Sequence, residues 1–120
     1  MKIFADTHIH SCLSPCAHEE MTPNNIVNMA LIKGLELIAV TDHNSADNLR
    51  AVAEAAEGTG LCVVPGMELE SSEEVHVLAY FDVLEKAEEL GRAIYPYLPD
   101  MPNNSRFFGS QTVMDKEDNI

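Results

Sequence analysis

Four of the five histidines in this 120-residue chain lie at the end of an apolar segment or inside one: His8, His10, His43 and His76. Apolar segments of this length are typical of β-strands, whereas histidines scattered by chance would fall more often in helices or loops. Glu68 follows another apolar segment, 61–64, through a Pro-Gly turn. Imidazole and carboxylate groups are ligands that Zn²⁺, Mn²⁺ and Fe²⁺ accept in proteins. The pattern therefore predicts a divalent-metal site at one edge of a sheet.

The spacing of these residues supports two parts of the predicted site. Side chains at positions i and i+2 of a strand share a face, so His8 and His10 can bind one cation or two adjacent cations. A turn at 71–73 would place Glu68 opposite His76 in an antiparallel pair, within reach of one ion. A register shift of one residue would separate them. Taken singly, each motif also fits an ordinary polar residue near a strand end.

Composition restricts the partners that the chain can have. The formal net charge is −13 with seven lysine and arginine residues, which argues against a surface for long nucleic acid. The acidity either serves solubility or is partly cancelled by bound divalent cations. No apolar stretch reaches the ~20 residues that span a bilayer. With 46% hydrophobic residues, three cysteines and no leader-like segment, we expect one cytoplasmic domain over residues 1–120.

Apolar strands alternate with amphipathic helices along the first part of the chain, which is typical of a parallel sheet covered by helices. Thr22 and Pro23 are suited to the N-cap and the first position of a helix that runs to about Lys33. Asn44 or Ser45 would cap a second helix. The predicted strands are 2–7, 37–41 and 61–69.

The later elements depart from this alternation. A strand at 75–81 follows too closely for a crossover, so it should pair antiparallel with 61–69. Asp82 with Glu85 forms a capping pattern for a third helix that must end near Pro96. Segment 111–114 is predicted to be a strand and 115–119 a turn. Because the chain stops one residue into that hairpin, we expect a C-terminally truncated domain.

Four motifs carry a family resemblance: Asp6-Thr-His-Ile-His10, Thr41-Asp-His-Asn44, Pro65-Gly-Met-Glu68 and Glu74-Val-His-Val-Leu78. In this order they resemble the PHP family, the polymerase and histidinol phosphatase domain, over essentially the whole chain. The resemblance implies an α/β fold, a distorted seven-stranded (β/α) barrel, of which this chain would form about half. Its strands would be mostly parallel with one antiparallel hairpin. Two or three metal ions at the carboxyl ends of the strands, and hydrolysis of phosphate esters, are implied as well.

The resemblance also assigns roles to individual residues. By motif, the metal ligands would be His8, His10, His43, Glu68 and His76. Asp6 and Asp42 would be supporting carboxylates that orient imidazoles, or occasional ligands. The family commonly places a ligand in the loop after the first motif, where His18 and Glu19 are the candidates. Alternatively, Cys12 and Cys16 would join His10 and His18 in a closed structural zinc site.

The predicted function is a metal-dependent phosphoesterase that acts on a small phosphorylated substrate through a metal-activated water, with Asp42 or Glu68 moving a proton. No histidine follows His76, so the later ligands of the family have no counterpart. A complete barrel takes on the order of 200 residues or more. The alternative is therefore a non-catalytic module that binds metal or phosphate, or a subunit of a larger assembly. An open sheet edge would also favour a homo-oligomer.

Overall fold

A four-stranded sheet carries the apolar segments of the chain; two α-helices connect its parallel strands and a third follows the last strand. A computed structural model describes all residues from 1 to 120. The strands are β1 (Ala5–Ile9), β2 (Leu37–Val40), β3 (Cys62–Glu70) and β4 (His76–Tyr80). The helices are α1 (Pro23–Ile32), α2 (Leu49–Ala56) and α3 (Leu84–Ile94), followed by a 3₁₀ turn at Tyr95–Tyr97. None of these helices has the length and apolar character needed to traverse a bilayer.

The sheet has the strand order β1-β2-β3-β4. Strands β1, β2 and β3 run parallel, and β3 and β4 form an antiparallel pair. The sheet curls into a half-barrel, which confirms the predicted α/β fold with mostly parallel strands and one antiparallel hairpin. Because β1 and β4 each have one sheet neighbour, both edges are open to a further strand. Assembly of a homo-oligomer through such an edge stays a prediction.

One apolar core lies between the sheet and all three helices. Ile38 and Val40 of β2 point to the helices because alternate residues of a strand share a face. Leu49 and Val52 of α2 and Met67 of β3 pack into the same core, and all five side chains are fully buried. This packing covers the convex side of the sheet. The carboxyl ends of the strands are left for polar side chains.

The signals for the first helix are confirmed. Thr22 is the N-cap of α1, and its hydroxyl accepts a hydrogen bond from Asn25 N at 3.3 Å. Lys33 is the C-cap. The next residue, Gly34, has a φ of +73°, a left-handed conformation that glycine adopts without steric cost. These features were predictable because each depends on neighbouring residues alone.

The predicted cap of the second helix is wrong. Helix α2 begins after Asn48 rather than after Asn44 or Ser45. The Asn44 side chain instead accepts from Glu70 N at 3.0 Å, and the Ser45 hydroxyl accepts from Asp47 N at 3.2 Å. Both side chains therefore stabilise the connection between β2 and α2, and the helix starts later.

Two further local predictions fail for a similar reason. The N-cap of α3 is Val83, since the carboxylate of Asp82 accepts from Lys86 Nζ at 2.7 Å and makes no cap. Segment 111–114 forms no strand. It runs along the interior amide of Asn48, which donates to Thr112 O and accepts from Met114 N at 2.8 Å. The predicted helix end near residue 96 and the turn at 115–119 are confirmed.

Replacing Gly66 with alanine is expected to lower the free energy of unfolding by about 1–3 kcal/mol, because the site leaves no room for a methyl group. A Cβ at this position would lie 2.7 Å from Thr41 Cγ2 and 3.3 Å from Val40 O. Urea denaturation measures the change. Gly91→Ala in α3 is the matched control, since its nearest neighbour would be 3.5 Å away and helix propensity favours alanine. Equal stability of Gly66→Ala and the wild type would contradict the steric argument.

Candidate metal centre

Four imidazoles converge on the carboxylate of Glu68, and we call these five residues the histidine–glutamate cluster. Glu68 Oε2 lies 2.9 Å from His8 Nε2, 3.0 Å from His10 Nε2 and 3.7 Å from His43 Nε2. The other oxygen, Oε1, lies 2.9 Å from His76 Nδ1. The Glu68 side chain is only 7% exposed, whereas those of His8 and His76 are 46% and 45% exposed. The cluster is therefore a buried carboxylate under a partly open ring of imidazoles.

Backbone pairing brings His43 to Glu68. Beyond the end of β2 the chain stays beside β3, where His43 and Glu68 form an isolated parallel bridge. Glu68 N donates to Asp42 O at 3.1 Å, and Asn44 N donates to Glu68 O at 2.9 Å. These two hydrogen bonds fix the position of His43 relative to the carboxylate, so the contact depends on strand pairing and not on side-chain flexibility.

The curl of the sheet brings its two edges to the same site. The Tyr80 hydroxyl of β4 donates to Thr7 O of β1 at 2.7 Å, although two strands lie between them in the sheet order. The β1–β2 register also shifts between Asp6 and Ile9, within the segment that carries His8. As a result, histidines from the first and last strands of the sheet reach one glutamate.

The predicted pairing of Glu68 with His76 is wrong by two residues, but the shared face is correct. In the β3–β4 register Glu68 faces Leu78, and His76 faces Glu70. A shift of two residues leaves side chains on the same face of a sheet. The His76 ring therefore reaches Glu68 along a diagonal, which long side chains can span.

Asp42 lies beside the cluster, and its carboxylate accepts hydrogen bonds from the loop that follows β1. Its carboxylate is buried and accepts from Ser11 N at 2.7 Å, from Ser11 Oγ at 2.6 Å and from Ser14 Oγ at 2.7 Å. Burial raises the pKa of Asp42, and these donated hydrogen bonds act in the opposite direction. No hydrogen bond joins Asp42 to an imidazole directly. Its predicted role in proton transfer stays a prediction.

Ser14 connects Asp42 to the cluster, and sequence reasoning did not single it out. Because an ionised carboxylate only accepts, the Ser14 hydroxyl proton belongs to the bond with Asp42. Ser14 Oγ must then accept, both from His43 N at 3.2 Å and from His10 Nδ1 at 3.1 Å. This network assigns the proton of His10 to Nδ1 and directs the Nε2 lone pair at the cluster. The orientation is the one that a metal ligand requires.

The electrostatics of the cluster fit a cation. Burial would raise the pKa of Glu68, but hydrogen bonds from His8 and His76 and nearby positive charge lower it to about 2. Burial and the neighbouring His43 lower the pKa of His10, which keeps its ring neutral. The Nε2 atoms of His8 and His10 are 3.2 Å apart, and they lie 2.9 and 3.0 Å from Glu68 Oε2. Imidazole nitrogens around a carboxylate form a ligand set for Zn²⁺, Mn²⁺ or Fe²⁺.

The donor atoms form three overlapping groups, and within each group they lie no more than 4.8 Å apart. The first is His8, His10 and Glu68; the second is His43, Glu68 and His76; the third is His10, Cys16 and His43. In addition, His43 Nδ1 is buried without a hydrogen-bond partner. A buried polar atom of this kind requires an explanation, and a bound cation supplies one. The residues present therefore fit a divalent metal.

Other predicted site residues lie outside the cluster. The His18 side chain is 70% exposed, and its nearest charged partner is Glu20 at 3.8 Å. Cys12 is buried, with Sγ 3.5 Å from Thr112 O. The structure thus brings Cys16, but not Cys12 or His18, to His10. The Asp6 carboxylate accepts a hydrogen bond from His8 N at 3.1 Å, so it orients the backbone of β1 rather than an imidazole ring. The assignment of His18 as a ligand stays a prediction.

Comparison with known proteins gives a family match. The PHP domain family matches residues 6–101. An uncharacterized protein of Methanocaldococcus jannaschii, MJ0043, is 28% identical over 101 residues, which are 84% of this chain and 12% of that relative. The chain therefore spans about an eighth of the length of the curated relative that it matches.

Two solved structures are similar in fold, each with 30% identity and a TM-score of 0.56. One is an amidohydrolase from Chromobacterium violaceum with bound sulfate and no metal; the match covers 63% of this chain and 27% of that one. The other is assigned as a metal-dependent phosphoesterase from Bifidobacterium adolescentis, with 67% and 28% covered. Both are more than three times as long as the matched part.

Proposed function

The chain belongs to the PHP domain family, and from this premise we propose that it acts as a metal-dependent phosphoesterase on a small phosphorylated substrate. The observation that carries the proposal is the convergence of four imidazoles on the buried Glu68 carboxylate. The similarity to a solved structure that is assigned as a metal-dependent phosphoesterase supports it. The reaction is hydrolysis of a phosphate mono- or diester.

Two groups in the cluster would hold cations, and Glu68 belongs to both. His8 and His10 lie at Glu68 Oε2, and His76 lies at Oε1, so one carboxylate faces both positions. A bound Zn²⁺, Mn²⁺ or Fe²⁺ would supply Lewis-acid chemistry, positive charge for phosphoryl oxygens and acidification of a water molecule. Glu68 belongs to the ligand set in this proposal, and its role in moving a proton stays a prediction.

In this proposal Asp42 is a positioning residue for His10. Its carboxylate is enclosed by Ser11 and Ser14, which separates it from any substrate at the open side of the cluster. Through Ser14 it holds the proton of His10 at Nδ1 and leaves Nε2 free to bind.

The chain itself supplies few cationic groups, since it contains seven lysine and arginine residues at a net charge of −13. Attraction for an anionic substrate must therefore come from the bound cation.

Hydrolysis of p-nitrophenyl phosphate with added Mn²⁺ or Zn²⁺ tests the proposal. We expect His8→Ala to lower the rate by at least about tenfold, because even residues behind the ligands cost 10- to 100-fold when changed. His18→Ala is expected to retain the wild-type rate, since His18 lies outside the cluster. A rate that is unchanged in His8→Ala would refute the assignment of this site as the catalytic one.

The partial exposure of the cluster favours a second candidate function. His8 and His76 are each nearly half exposed, so the site as described does not exclude water. Exclusion of water is not needed in a non-catalytic module that binds metal or phosphate. It is not needed in a subunit of a larger assembly either. Stoichiometric metal in the purified protein, without hydrolysis of p-nitrophenyl phosphate, would favour this function over the phosphoesterase.

A further inference from the structure

Cys16 extends the histidine–glutamate cluster on the side of His10 and His43. Its Sγ atom, one ring nitrogen of His10 and one of His43 all lie within 4.8 Å of one another. The two rings are stacked, with centroids 4.6 Å apart and planes 11° from parallel. Three donors of ligand type therefore meet beside the Glu68 carboxylate, and His10 and His43 belong to both groups.

The His43 ring supplies independent evidence for a ligand here. Its Nε2 atom faces Glu68 Oε2 at 3.7 Å, while its Nδ1 atom is buried and has no hydrogen-bond partner. Buried polar atoms almost always have a partner. The His43 ring therefore keeps one buried nitrogen that no protein group occupies.

The loop that carries Cys16 is held firmly by the rest of the chain. Asp42 binds Ser11 and Ser14 at its beginning. At its end Gly109 N donates to Pro15 O at 2.9 Å, and a Cβ on Gly109 would lie 2.5 Å from Ala17 O. The backbone around Cys16 is therefore fixed from both sides, which places its thiol near the two rings without a disordered segment between them.

We propose that Cys16 is a thiolate ligand of a cation held with His10 and His43. This inference rests on the metal site of the proposed function and adds a soft ligand to it. On binding, the sulfur–metal bond forms and the thiol proton is released to water. Because thiolate favours Zn²⁺ and Co²⁺ over Mn²⁺ and Mg²⁺, Cys16 makes the site selective for zinc-like cations.

Cobalt spectroscopy tests this proposal directly. The protein is titrated with Co²⁺ under anaerobic conditions, and bound cobalt is measured together with the near-ultraviolet thiolate-to-cobalt charge-transfer band. We expect the band in the wild type and its loss in Cys16→Ser. Cys62→Ser is the matched control, since Cys62 is an exposed thiol whose strand position pairs with Leu37, at the opposite end of β2 from the cluster.

A second variant measures selectivity. Cys16→Asp keeps an anionic ligand but replaces sulfur with oxygen, so the ratio of Zn²⁺ to Mn²⁺ affinity should fall by about tenfold or more, within the range of 10- to 100-fold seen for changes around metal ligands. Circular dichroism checks that both variants fold. An unchanged affinity ratio in Cys16→Asp would contradict a role for the thiolate in selectivity.

The outcomes separate this inference from the proposed function. Bound cobalt without a charge-transfer band, or a band that persists in Cys16→Ser, would overturn the thiolate ligand and leave the phosphoesterase proposal intact. A band that depends on Cys16, in a protein that does not hydrolyse p-nitrophenyl phosphate, would support the ligand and reject the phosphoesterase. Absence of cobalt binding would overturn both.

Discussion

Replacing Glu68 with glutamine is expected to weaken divalent-cation binding by about 10²- to 10⁴-fold, the equivalent of about 3–5 kcal/mol for removing one partner of a buried charged set. Glu68 is the only carboxylate at the centre of the cluster, and both of its oxygens face imidazoles. Glutamine keeps the shape of the side chain but removes its charge and one acceptor oxygen. The nearby carboxylate of Asp42 cannot replace that charge because it is held by Ser11 and Ser14, and Glu70 contacts the cluster only at His76, at 3.7 Å.

Competition with a chromophoric chelator measures this loss for Zn²⁺ and Mn²⁺. Phosphatase activity at saturating metal gives an independent reading, because a weakened site can still be filled at high concentration. Glu57→Gln is the matched control, since Glu57 is an exposed carboxylate at the end of α2. If Glu68→Gln bound zinc as tightly as the control, the cluster around Glu68 would not be the metal centre.

Replacing Asp42 with asparagine is expected to weaken cation binding by about 10- to 100-fold, although Asp42 touches no imidazole. The asparagine oxygen would take the place of Oδ1, which accepts from Ser11 N and Ser14 Oγ, and the amide nitrogen would meet Ser11 Oγ. Because a neutral amide oxygen accepts more weakly than a carboxylate, the Ser14 hydroxyl becomes freer to turn its proton toward His10 Nδ1. The proton of His10 would then move to Nε2 and block the nitrogen that faces Glu68. Because a buried set of hydrogen bonds is disturbed, the free energy of unfolding should also fall by about 1–3 kcal/mol.

Two measurements distinguish this positioning role from a general loss of structure. Chemical shifts of the His10 ring nitrogens by NMR report the tautomer, which should change in Asp42→Asn and stay unchanged in Asp47→Asn, an exposed control in the next loop. Ser14→Ala should weaken metal binding as Asp42→Asn does, and the double variant should show less than the sum of the two effects. Additive effects would show that Asp42 and Ser14 act separately.

The elements that sequence predicts well are those specified by near neighbours. The alternation of apolar strands and helices predicted the parallel sheet, and Thr22 and Gly34 mark the ends of α1 because capping depends on a few adjacent residues. Two of the predictions that failed involved side chains with a distant partner. Asn44 binds Glu70 N instead of capping a helix, and segment 111–114 follows Asn48 instead of another strand.

The same division applies to the site. Residue types and their places after strands were enough to predict His8, His10, His43, Glu68 and His76 as one group, since parallel strands end at a common edge. Sequence alone could not show that Asp42 binds Ser14, that Cys16 joins His10 and His43 while His18 does not, or that His76 reaches Glu68 diagonally.

The sequence by itself therefore determined the fold class and the chemical identity of the cluster, because periodicity and ligand type are local properties. The tertiary structure decided which polar groups meet. Loop path, strand register and sheet curl set those distances, and contacts between residues remote in the chain fix all three.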